Sequence, residues 1–532
     1  MPLPDSGTTW PPIDPLVQSD LADWDAWYSA EPDRLEARYE GRGTAGVQNR
    51  PSQYAGGLRG RVARWFWGNP TPAGEKRDKL HIPLAGDIAR TSSGLLFSEP
   101  PKLISDDTAT QERLDKLVEK GLHPTLLEGG ELCAALGGAY FRVVWDGDVS
   151  DRPWIDTVAA DRAVPEFRYG RLVAVTFWTV LPGPDGIDDR RVYRHLERHE
   201  KGRIYHGLYE GTGTTLGAVR PLEEHPQTAP LASQVDAEGG LDTGAPNHLT
   251  ASYMPNVRPA RGWRHIPSAA YWGQSDFQGI EGILDALDEA WSSWMRDIQN
   301  GKGRIVVADA LLQSHGPGKG ASWEEEKRVF TGLNMLPNMG GDKGGRPIDV
   351  VQFAIRVAEH RDTCAALVNE AAREAGYSAS TFGEASEGSA VTATEIRARQ
   401  RRTLLTRSRK TLYAIPALSD IVAALLAVEA GFRFGVQGLD LSEPPKVEFE
   451  DSISESAGEL ATTSELLRRA EAASTETLVK MNHPDWDDKQ VKAETEAILA
   501  ETGRGPTADP VLTGAEGAID AGFPSDGGGP RP

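Results

Sequence analysis

The sequence predicts a multidomain α+β protein. A chain of 532 residues is too long for one ordinary hydrophobic core, so we expect several domains. Two long segments with helical apolar periodicity enclose a short glycine-rich insert, and a block of alternating, strand-like residues precedes them. The hydrophobic content of 39%, with 14 tryptophans, is sufficient for globular folding.

The first long helix is predicted over residues 275–300 by the clearest periodic pattern in the chain. Ser275 and Gln278 match a capping box, and Asn300 with Gly301 is a helix stop signal. Apolar residues follow alternating steps of three and four, which gives a seam at heptad spacing. This seam consists of Phe277, Ile280, Leu284, Leu287, Trp291, Trp294 and Ile298.

The second long helix, over residues 356–376, repeats the pattern with smaller side chains and ends at Gly376. Its apolar face carries Cys364, Leu367, Val368, Ala371, Ala372 and Ala375. Narrow seams of this kind suit packing of the two helices against each other and against copies in neighbouring subunits. The insert between them, residues 301–355, contains strand patterns at 304–307 and 348–353 and is predicted to be a small α/β subdomain.

The N-terminal half reads as helices followed by a β-rich block, and the C-terminal part is mainly helical. The predicted helices cover 82–97, 108–120, the stretch leading into a strand at 140–145, a basic helix from about 394 towards 428 with a kink at Pro416, and 456–500. The strands cover 172–181, a hairpin over 191–210 that turns at 200–202, and 214–222. Residues 223–250 are predicted to be a surface loop, 377–394 a mobile loop and 503–532 a disordered tail.

Charge separates the function classes. The formal net charge is −21, which is atypical of a sequence-specific nucleic-acid binder, whose affinity comes largely from Lys and Arg on phosphates. Residues 395–410 are the exception, because seven basic residues and one Glu give 7 − 1 = +6. Two interpretations stay open: these residues form salt bridges with acidic segments, or they form a basic belt near a nucleic-acid path.

No motif supports an enzyme or a metal protein. His195 and His199 lie four apart in a strand pattern, about 13 Å from each other at ~3.3 Å per residue, so we expect surface histidines that cannot share an ion. Lys319 in the glycine-rich loop 316–320 is followed by Gly320 rather than Ser or Thr, so the phosphate-loop motif fails. Asp485, with the neighbouring acids 487 and 488, lacks the calcium-loop pattern. We expect no cofactor.

Two cysteines, Cys133 and Cys364, cannot build a disulfide framework, and Cys364 falls on an apolar helix face. The N-terminus lacks the pattern of a signal peptide. The most apolar window, residues 412–428, contains Pro416 and Asp420 and is judged too short to cross a membrane. We therefore expect a soluble protein made in the cytoplasm, with no membrane partner.

Several segments together resemble the portal proteins of tailed bacteriophages, the head–tail connectors. The segments that carry the resemblance are Val192-Tyr-Arg-His-Leu-Glu-Arg-His-Glu, Ile204-Tyr-His-Gly-Leu-Tyr-Glu-Gly, the helix–insert–helix of 273–376, Gly376-Tyr-Ser-Ala-Ser-Thr-Phe-Gly, Thr392-Ala-Thr-Glu-Ile-Arg-Ala-Arg and Pro484-Asp-Trp-Asp-Asp. The order of parts over about residues 20–500 carries most of the weight, and the kinship is closest to portals of siphophages that infect actinobacteria.

The resemblance implies a portal-type subunit in a ring, usually of twelve copies, at one capsid vertex of a virion assembled in the host cytoplasm. Its parts would be a wing (1–272 and 395–450), a stem (273–300 and 356–376), a clip (301–355), a tunnel loop (377–394) and a crown (451–502), followed by the tail (503–532). Its partners would be double-stranded DNA bound without sequence preference, the terminase large subunit, a head-completion or adaptor protein, and the major capsid and scaffolding proteins.

The same resemblance assigns expected roles to individual residues. Those expected near DNA are Ser386, Ser389, Thr392, Arg397 and Arg401. Those expected to pack the stem and the ring are Phe277, Ile280, Leu284, Leu287, Trp291, Trp294, Leu367, Val368 and Ala371. Those expected in the clip, facing terminase and adaptor, are Lys319, Lys343 and Arg346.

Two alternatives remain at the level of sequence. One is an enzyme that acts on nucleic acid or nucleotides, with the run from Arg397 to Lys410 as a phosphate clamp. The other is a different structural protein of a phage head, such as a minor capsid protein.

Overall fold

The computed structural model describes residues 3–40, 80–183, 191–301, 304–308, 313–314, 321–322, 330–333, 348–351, 355–382, 393–449, 457–483 and 486–502. The chain divides into two compact units, Met1–Glu450 and Asp451–Pro532. Helices and strands occur together in the first unit, and the described part of the second unit is helical. The predicted α+β class is therefore confirmed.

Twelve α-helices lie within the described ranges. They are α1 (Pro15–Ser29), α2 (Pro32–Glu40), α3 (Leu84–Phe97), α4 (Thr108–Glu119), α5 (Leu122–Leu136), α6 (Ala229–Ala232), α7 (Glu281–Asn300), α8 (Val357–Ala375), α9 (Ala393–Ala430), α10 (Ala457–Arg469), α11 (Thr475–Asn482) and α12 (Asp488–Glu501). The long helices α7, α8 and α9 fall where the apolar periodicity predicts them.

Antiparallel strands build the body of the first unit. The strands are β1 (Lys102–Ile104), β2 (Gly138–Val144), β3 (Trp154–Ala159), β4 (Ala163–Arg168), β5 (Arg171–Leu181), β6 (Val192–Glu200), β7 (Arg203–Gly211), β8 (Ala218–Arg220), β9 (Gly240–Asp242), β10 (Ala251–Pro255), β11 (Arg304–Ala308), β12 (Gln313–Ser314), β13 (Ala321–Ser322), β14 (Phe330–Leu333), β15 (Ile348–Val351) and β16 (Lys446–Glu448). One sheet has the order β4-β5-β6-β7-β8, with β9 also paired to β7, and a second has the order β10-β2-β3.

The insert between α7 and α8 contains a small mixed sheet. Strand β11 is central, parallel to β14 and antiparallel to β15, while β12 and β13 form a separate pair. The strands predicted at 304–307 and 348–353 are thus present, and Ile348–Val351 is the observed extent of the second. Strand pairing across the insert brings the residues that follow α7 beside those that precede α8.

Four apolar clusters lie within the described residues of the first unit, and the two largest are its main cores. The larger joins Trp24 and Trp27 of α1 to Phe177 of the six-stranded sheet and to both α7 and α8. The smaller packs the C-terminal half of α9, including Leu425, against α3 to α5 and Phe141 on β2. The larger core therefore fixes the paired helices α7 and α8 to the sheet-containing body.

Three local predictions are wrong in their details. Helix α7 begins at Glu281, because the Ser275 hydroxyl bonds to the Ala135 carbonyl at 2.6 Å and accepts from the Phe277 amide instead of capping a helix at 275. The strand predicted over 214–222 shortens to β8. Residues 223–250 are not only a surface loop, since they supply β9, in which Leu241 is buried.

Helix α9 also corrects the estimate of the apolar window. The helix continues through Pro416, and its segment Gln400–Ala430 contains an 18-residue window, of mean hydropathy 1.9, that is long and apolar enough to cross a membrane. The prediction that this region is too short is therefore wrong. However, 56% of the window is buried inside the protein, where it forms the smaller core, and that packing accounts for its apolar composition.

Candidate functional site

The helical pair α7 and α8 is joined at the end next to the insert by a polar cluster. The Asp297 carboxylate accepts hydrogen bonds from His360 Nε2 at 2.9 Å and Arg356 Nη2 at 2.8 Å. These two hydrogen bonds lower the pKa of Asp297. The His360 ring stacks on Trp294, with 6.1 Å between centroids. The two helices are therefore antiparallel neighbours held together where the insert begins and ends.

At the opposite end the α7 seam is buried within the subunit itself. Phe277, Ile280, Leu284 and Leu287 are at most 1% exposed and belong to the larger core. On the same helix the buried carboxylate of Asp288 accepts from the Ile82 amide at 2.9 Å. These four seam residues are thus covered by their own chain. That burial agrees with the expected packing within the subunit and leaves these side chains no surface for a neighbouring copy.

The outer half of the seam is less covered. Trp291, Trp294, Leu367 and Val368 are half-buried, whereas Ala371 is fully buried in the larger core. Of these five residues, the four half-buried ones are therefore accessible for contact with a neighbouring copy, and Ala371 is not.

A buried polar network lies at the base of the pair. Lys410 Nζ, on α9, contacts Asp276 Oδ2 at 2.6 Å, Ser92 Oγ at 2.6 Å and the Tyr377 hydroxyl at 2.9 Å. The Tyr377 hydroxyl donates to Asp276 Oδ2 at 2.7 Å, and Asn256 donates to Oδ1 at 2.8 Å. All five side chains are buried. The network connects the start of the α7 region, the end of α8, and helices α3 and α9.

The network also fixes the protonation of Tyr377. Burial and the neighbouring Asp276 carboxylate raise the pKa of this phenol well above its ordinary value. The hydroxyl therefore stays protonated at neutral pH and donates to the carboxylate, while the Lys410 ammonium supplies the compensating charge. A buried ion pair with each partner hydrogen-bonded in this way strongly resists loss of either member.

Two threonines of α9 hold the segment that follows α8. Gly376 ends α8 with φ +95°, a conformation that favours glycine, and its carbonyl accepts from Thr406 Oγ1 at 2.6 Å. Thr403 Oγ1 accepts from the Ser378 amide at 2.9 Å and lies 3.0 Å from the Thr381 hydroxyl. We call this arrangement the threonine clamp. It fixes the chain immediately before residues 383–392, and α9 begins immediately after them.

The basic run divides between buried and exposed positions. Arg407 is buried and donates from Nε to the Leu95 carbonyl at 2.7 Å, and Lys410 is in the buried network. Arg401 and Arg402 are exposed, and Arg409 donates to the Arg258 carbonyl. The salt-bridge interpretation is thus correct for Lys410, and the whole run cannot act as a phosphate clamp because two of its cations face the protein interior.

The other predicted site residues lie outside the described part of the chain. Arg397 is in the first turns of α9, but its side chain is not among those described. Neither the backbone nor the side chain is described for Ser386, Ser389, Thr392, Lys319, Lys343 and Arg346. Their assignments to a tunnel loop and to a docking face stay predictions.

A second buried cluster connects the two sheets. Arg142 on β2 bonds Glu197 on β6 at 2.9 Å, and Glu197 in turn contacts His199 Nε2 at 2.5 Å. Burial alone would raise the pKa of Glu197, but the Arg142 guanidinium and the His199 hydrogen bond hold it well below its usual range. His206 Nδ1 lies 3.2 Å from His195 Nε2. Burial lowers the pKa of His206 to about 4.

These histidines correct one expectation and agree with another. They lie in strands, as the alternation predicts, but His199 is fully buried rather than at the surface. Among the described residues no group of three or more His, Cys, Asp or Glu side chains could hold a metal ion. Both cysteines are buried, and burial raises the pKa of Cys133 to about 12, which keeps it a thiol.

The parts now in view define a class of protein. A sheet-containing body is followed along the chain by two paired helices that carry a strand-rich insert, and then by a helical C-terminal unit. Residues 33–505 match the family described as "Phage portal protein, SPP1 Gp6-like". The chain therefore belongs to this portal family, and it is a head–tail connector component of a phage-type particle.

Solved structures of gene transfer agent (GTA) particles are similar to the chain at low identity. The neck of the native particle computed with C12 symmetry is 15% identical, covers 75% of this chain and 89% of that chain, and has a TM-score of 0.33. The native virion is 14% identical, covers 80% of this chain and 99% of that chain, and has a TM-score of 0.35. The neck of the empty particle computed with C6 symmetry is 15% identical, covers 75% of this chain and 90% of that chain, and has a TM-score of 0.36. No curated protein sequence matches the chain.

Proposed function

We propose that this chain forms the ring-shaped DNA channel at one vertex of a capsid. In this role it docks the terminase during genome packaging and the head-completion and tail proteins afterwards, and it passes DNA again during ejection. The observation that carries the proposal is the family match over residues 33–505, which spans the body, the helical pair and the C-terminal unit. The major capsid and scaffolding proteins are the remaining proposed partners.

The parts of the portal map onto the described elements. The wing comprises the two sheets together with most of α9, the stem is α7 with α8, the clip is the β11–β15 insert, and the crown is α10 to α12. Residues 377–394 form the tunnel loop. The threonine clamp and the Lys410 network support this mapping, because they tie the stem and the start of the tunnel loop to the wing. Such anchoring gives a channel loop a rigid base.

Charge supports weak, sequence-independent contact with DNA. Twelve copies would carry 12 × (−21) = −252, and a mainly acidic channel repels phosphates, so DNA does not adhere during translocation. The exposed cations Arg401 and Arg402, two turns into α9 after the loop, are the described basic side chains that we assign to the DNA path. Arg397 belongs with them by its position in the same helix.

Electron microscopy of the purified full-length protein in negative stain tests the proposal directly. We expect closed rings with a central hole. Monomers with nuclease or nucleotidase activity would instead establish the enzyme alternative and overturn the proposal.

Packaging tests the DNA path. Replacing residues 384–390 by a shorter linker should leave ring assembly intact but impair packaging or retention of DNA, since the loop that meets DNA is shortened. Arg401→Glu should reduce packaged DNA more than Arg168→Glu, which makes the same charge change at an exposed position of β4. Normal genome length and infectivity in the loop variant would contradict the assignment of the tunnel loop.

A further inference from the structure

The C-terminal helical unit has very little core of its own. Within its described residues, 457–483 and 486–502, the apolar side chains that are buried are Leu478, Val479 and Val491. A unit of this size needs a larger core, a metal, disulfides or association to stay folded. Neither cysteine of the chain lies in this unit. Association with another apolar surface would add to the burial that these described residues provide.

The helices of this unit are nevertheless well specified locally. Ser474 caps α11, and Asp487 forms a capping box with Gln490 at the start of α12. Asn482 Nδ2 donates to Ser464 Oγ at 2.8 Å, which connects α11 to α10. The three helices thus have defined ends and a defined contact, and what they lack is apolar cover.

A groove of about 420 Å³ lies between these helices. One face of α10 lines it at positions i, i+3, i+4 and i+7, namely Ala461, Ser464, Glu465 and Arg468. Leu478 and Val479 of α11 and Ile498 of α12 supply its apolar lining, and Glu494 adds a second carboxylate. The groove is apolar within, and its charged lining residues are two carboxylates, Glu465 and Glu494, and one guanidinium, Arg468. The second carboxylate is in excess over Arg468, so the groove suits an apolar side chain accompanied by one further cation.

The same unit presents a side chain of that description on its other face. Leu466 is 59% exposed. At 100° per residue it lies about 150° around α10 from the middle of the face that lines the groove. Exposed Arg469, one turn further along, lies on the same side. A large exposed leucine beside an arginine complements an apolar groove edged by Glu465 and Glu494.

We propose that Leu466 of one copy inserts into the groove between α10, α11 and α12 of the next copy, with Arg469 beside Glu494. Leucine and groove lie on opposite faces of one helix, so two copies cannot exchange both contacts across a twofold axis. The contact is therefore head-to-tail, and repeated head-to-tail contacts form a closed ring when the rotation from one copy to the next closes. This inference rests on the proposed ring and adds to it: the C-terminal unit forms a subunit contact of its own, separate from the helical pair α7 and α8.

Disulfide trapping in the full-length protein tests the contact. The double variant Leu466→Cys/Ala461→Cys should give, after oxidation, a ladder of covalent oligomers on a non-reducing gel. Each single variant should give none, and neither should Glu476→Cys/Ala461→Cys, whose exposed cysteine lies off the groove face of α11. The natural cysteines Cys133 and Cys364 are buried in every variant and serve as the common background.

Energetic variants give a second measurement. Leu466→Ala should weaken subunit association by roughly ten-fold or more, the factor expected from losing one buried leucine side chain. Ala461→Trp should do the same by filling the groove. Both variants should keep the helical circular dichroism of the parent, because neither position is buried within the unit.

The outcomes separate this inference from the proposed function. Rings that form normally but give no ladder, or a ladder equally strong with the control pair, overturn the contact and leave the portal ring standing. An intramolecular disulfide between positions 466 and 461 also overturns the proposed contact, since Leu466 would then be covered by its own subunit. Absence of rings from the parent protein would overturn the proposed function itself.

Discussion

The buried pair Lys410–Asp276 allows a quantitative test of what fixes the helical pair α7 and α8, the proposed stem, to the rest of the first unit. Lys410→Met removes the ammonium and leaves the Asp276 carboxylate buried, at 8% exposure. The carboxylate keeps two donors, Tyr377 and Asn256, so its loss of stabilisation should fall at the lower end of the range for a broken buried pair, about 3 kcal/mol. Asp276→Asn leaves an uncompensated buried ammonium and should cost about 3–5 kcal/mol.

The double variant Lys410→Met/Asp276→Asn should cost clearly less than the sum of the two single changes. It leaves no uncompensated charge, and the amide oxygen of the introduced asparagine can still accept from the Tyr377 hydroxyl. We expect a coupling free energy of roughly 1–3 kcal/mol, the range for residues in one polar network. Urea unfolding followed by tryptophan fluorescence measures the free energy of global unfolding. Hydrogen exchange at residues 377–382 measures the free energy of local opening there.

Additive costs would refute this reasoning, as would a Lys410→Met variant within about 1 kcal/mol of the parent, because a broken buried pair is expected to cost several times that amount. A matched control is Lys480→Met, which breaks the exposed pair with Asp488 at 3.0 Å. Water screens an exposed pair of this kind, so this variant should be nearly as stable as the parent.

Three further variants probe other parts of the described structure. Leu287→Asp should abolish folding of the subunit rather than only ring formation, since the side chain is 1% exposed in the larger core; a soluble, folded monomer by circular dichroism would contradict this. His206 has its pKa lowered to about 4, so the unfolded state takes up the proton first as pH falls below about 6.5. Stability should therefore be fully present above pH 6.5 and decline by roughly 3 kcal/mol towards pH 4, and His206→Gln should flatten that decline in a series of urea midpoints. Asp297→Ala removes the ion pair with Arg356 and the hydrogen bond from His360. Because water screens this site, the change should lower the unfolding free energy only slightly, and it should increase hydrogen exchange only at the facing ends of α7 and α8.

The sequence predicted the elements better than their partners. The seam of α7 and the end of α8 at Gly376 could be predicted from the sequence, because apolar periodicity and helix stop signals depend on residues that are close together in the chain. The start of α7 was not, because the Ser275 hydroxyl bonds to Ala135, 140 residues earlier in the chain. A capping pattern cannot show that a distant carbonyl competes for the same hydroxyl group.

The buried charges were missed for the same physical reason. Lys410 and Asp276 are 134 residues apart, and only the tertiary fold brings them together. One local signal was present: Thr403, Arg407 and Lys410 occupy the helix face that continues into the buried residues of α9. The histidines of β6 show a related limit, since alternation tells which residues share a face of a strand but not that both faces are covered.

The threonine clamp limits how far residues 383–392, which belong to the proposed tunnel loop, can extend. Phe382 is the last described residue before the loop and Ala393 the first after it, eleven Cα–Cα steps apart. At no more than about 3.6 Å per step, a chain fixed at both ends extends at most about 20 Å from them and less if the ends are separated. The hydrogen bonds of the Thr403 hydroxyl therefore set where this segment starts. Their loss would release several residues before Phe382 and so increase the distance that the segment can reach.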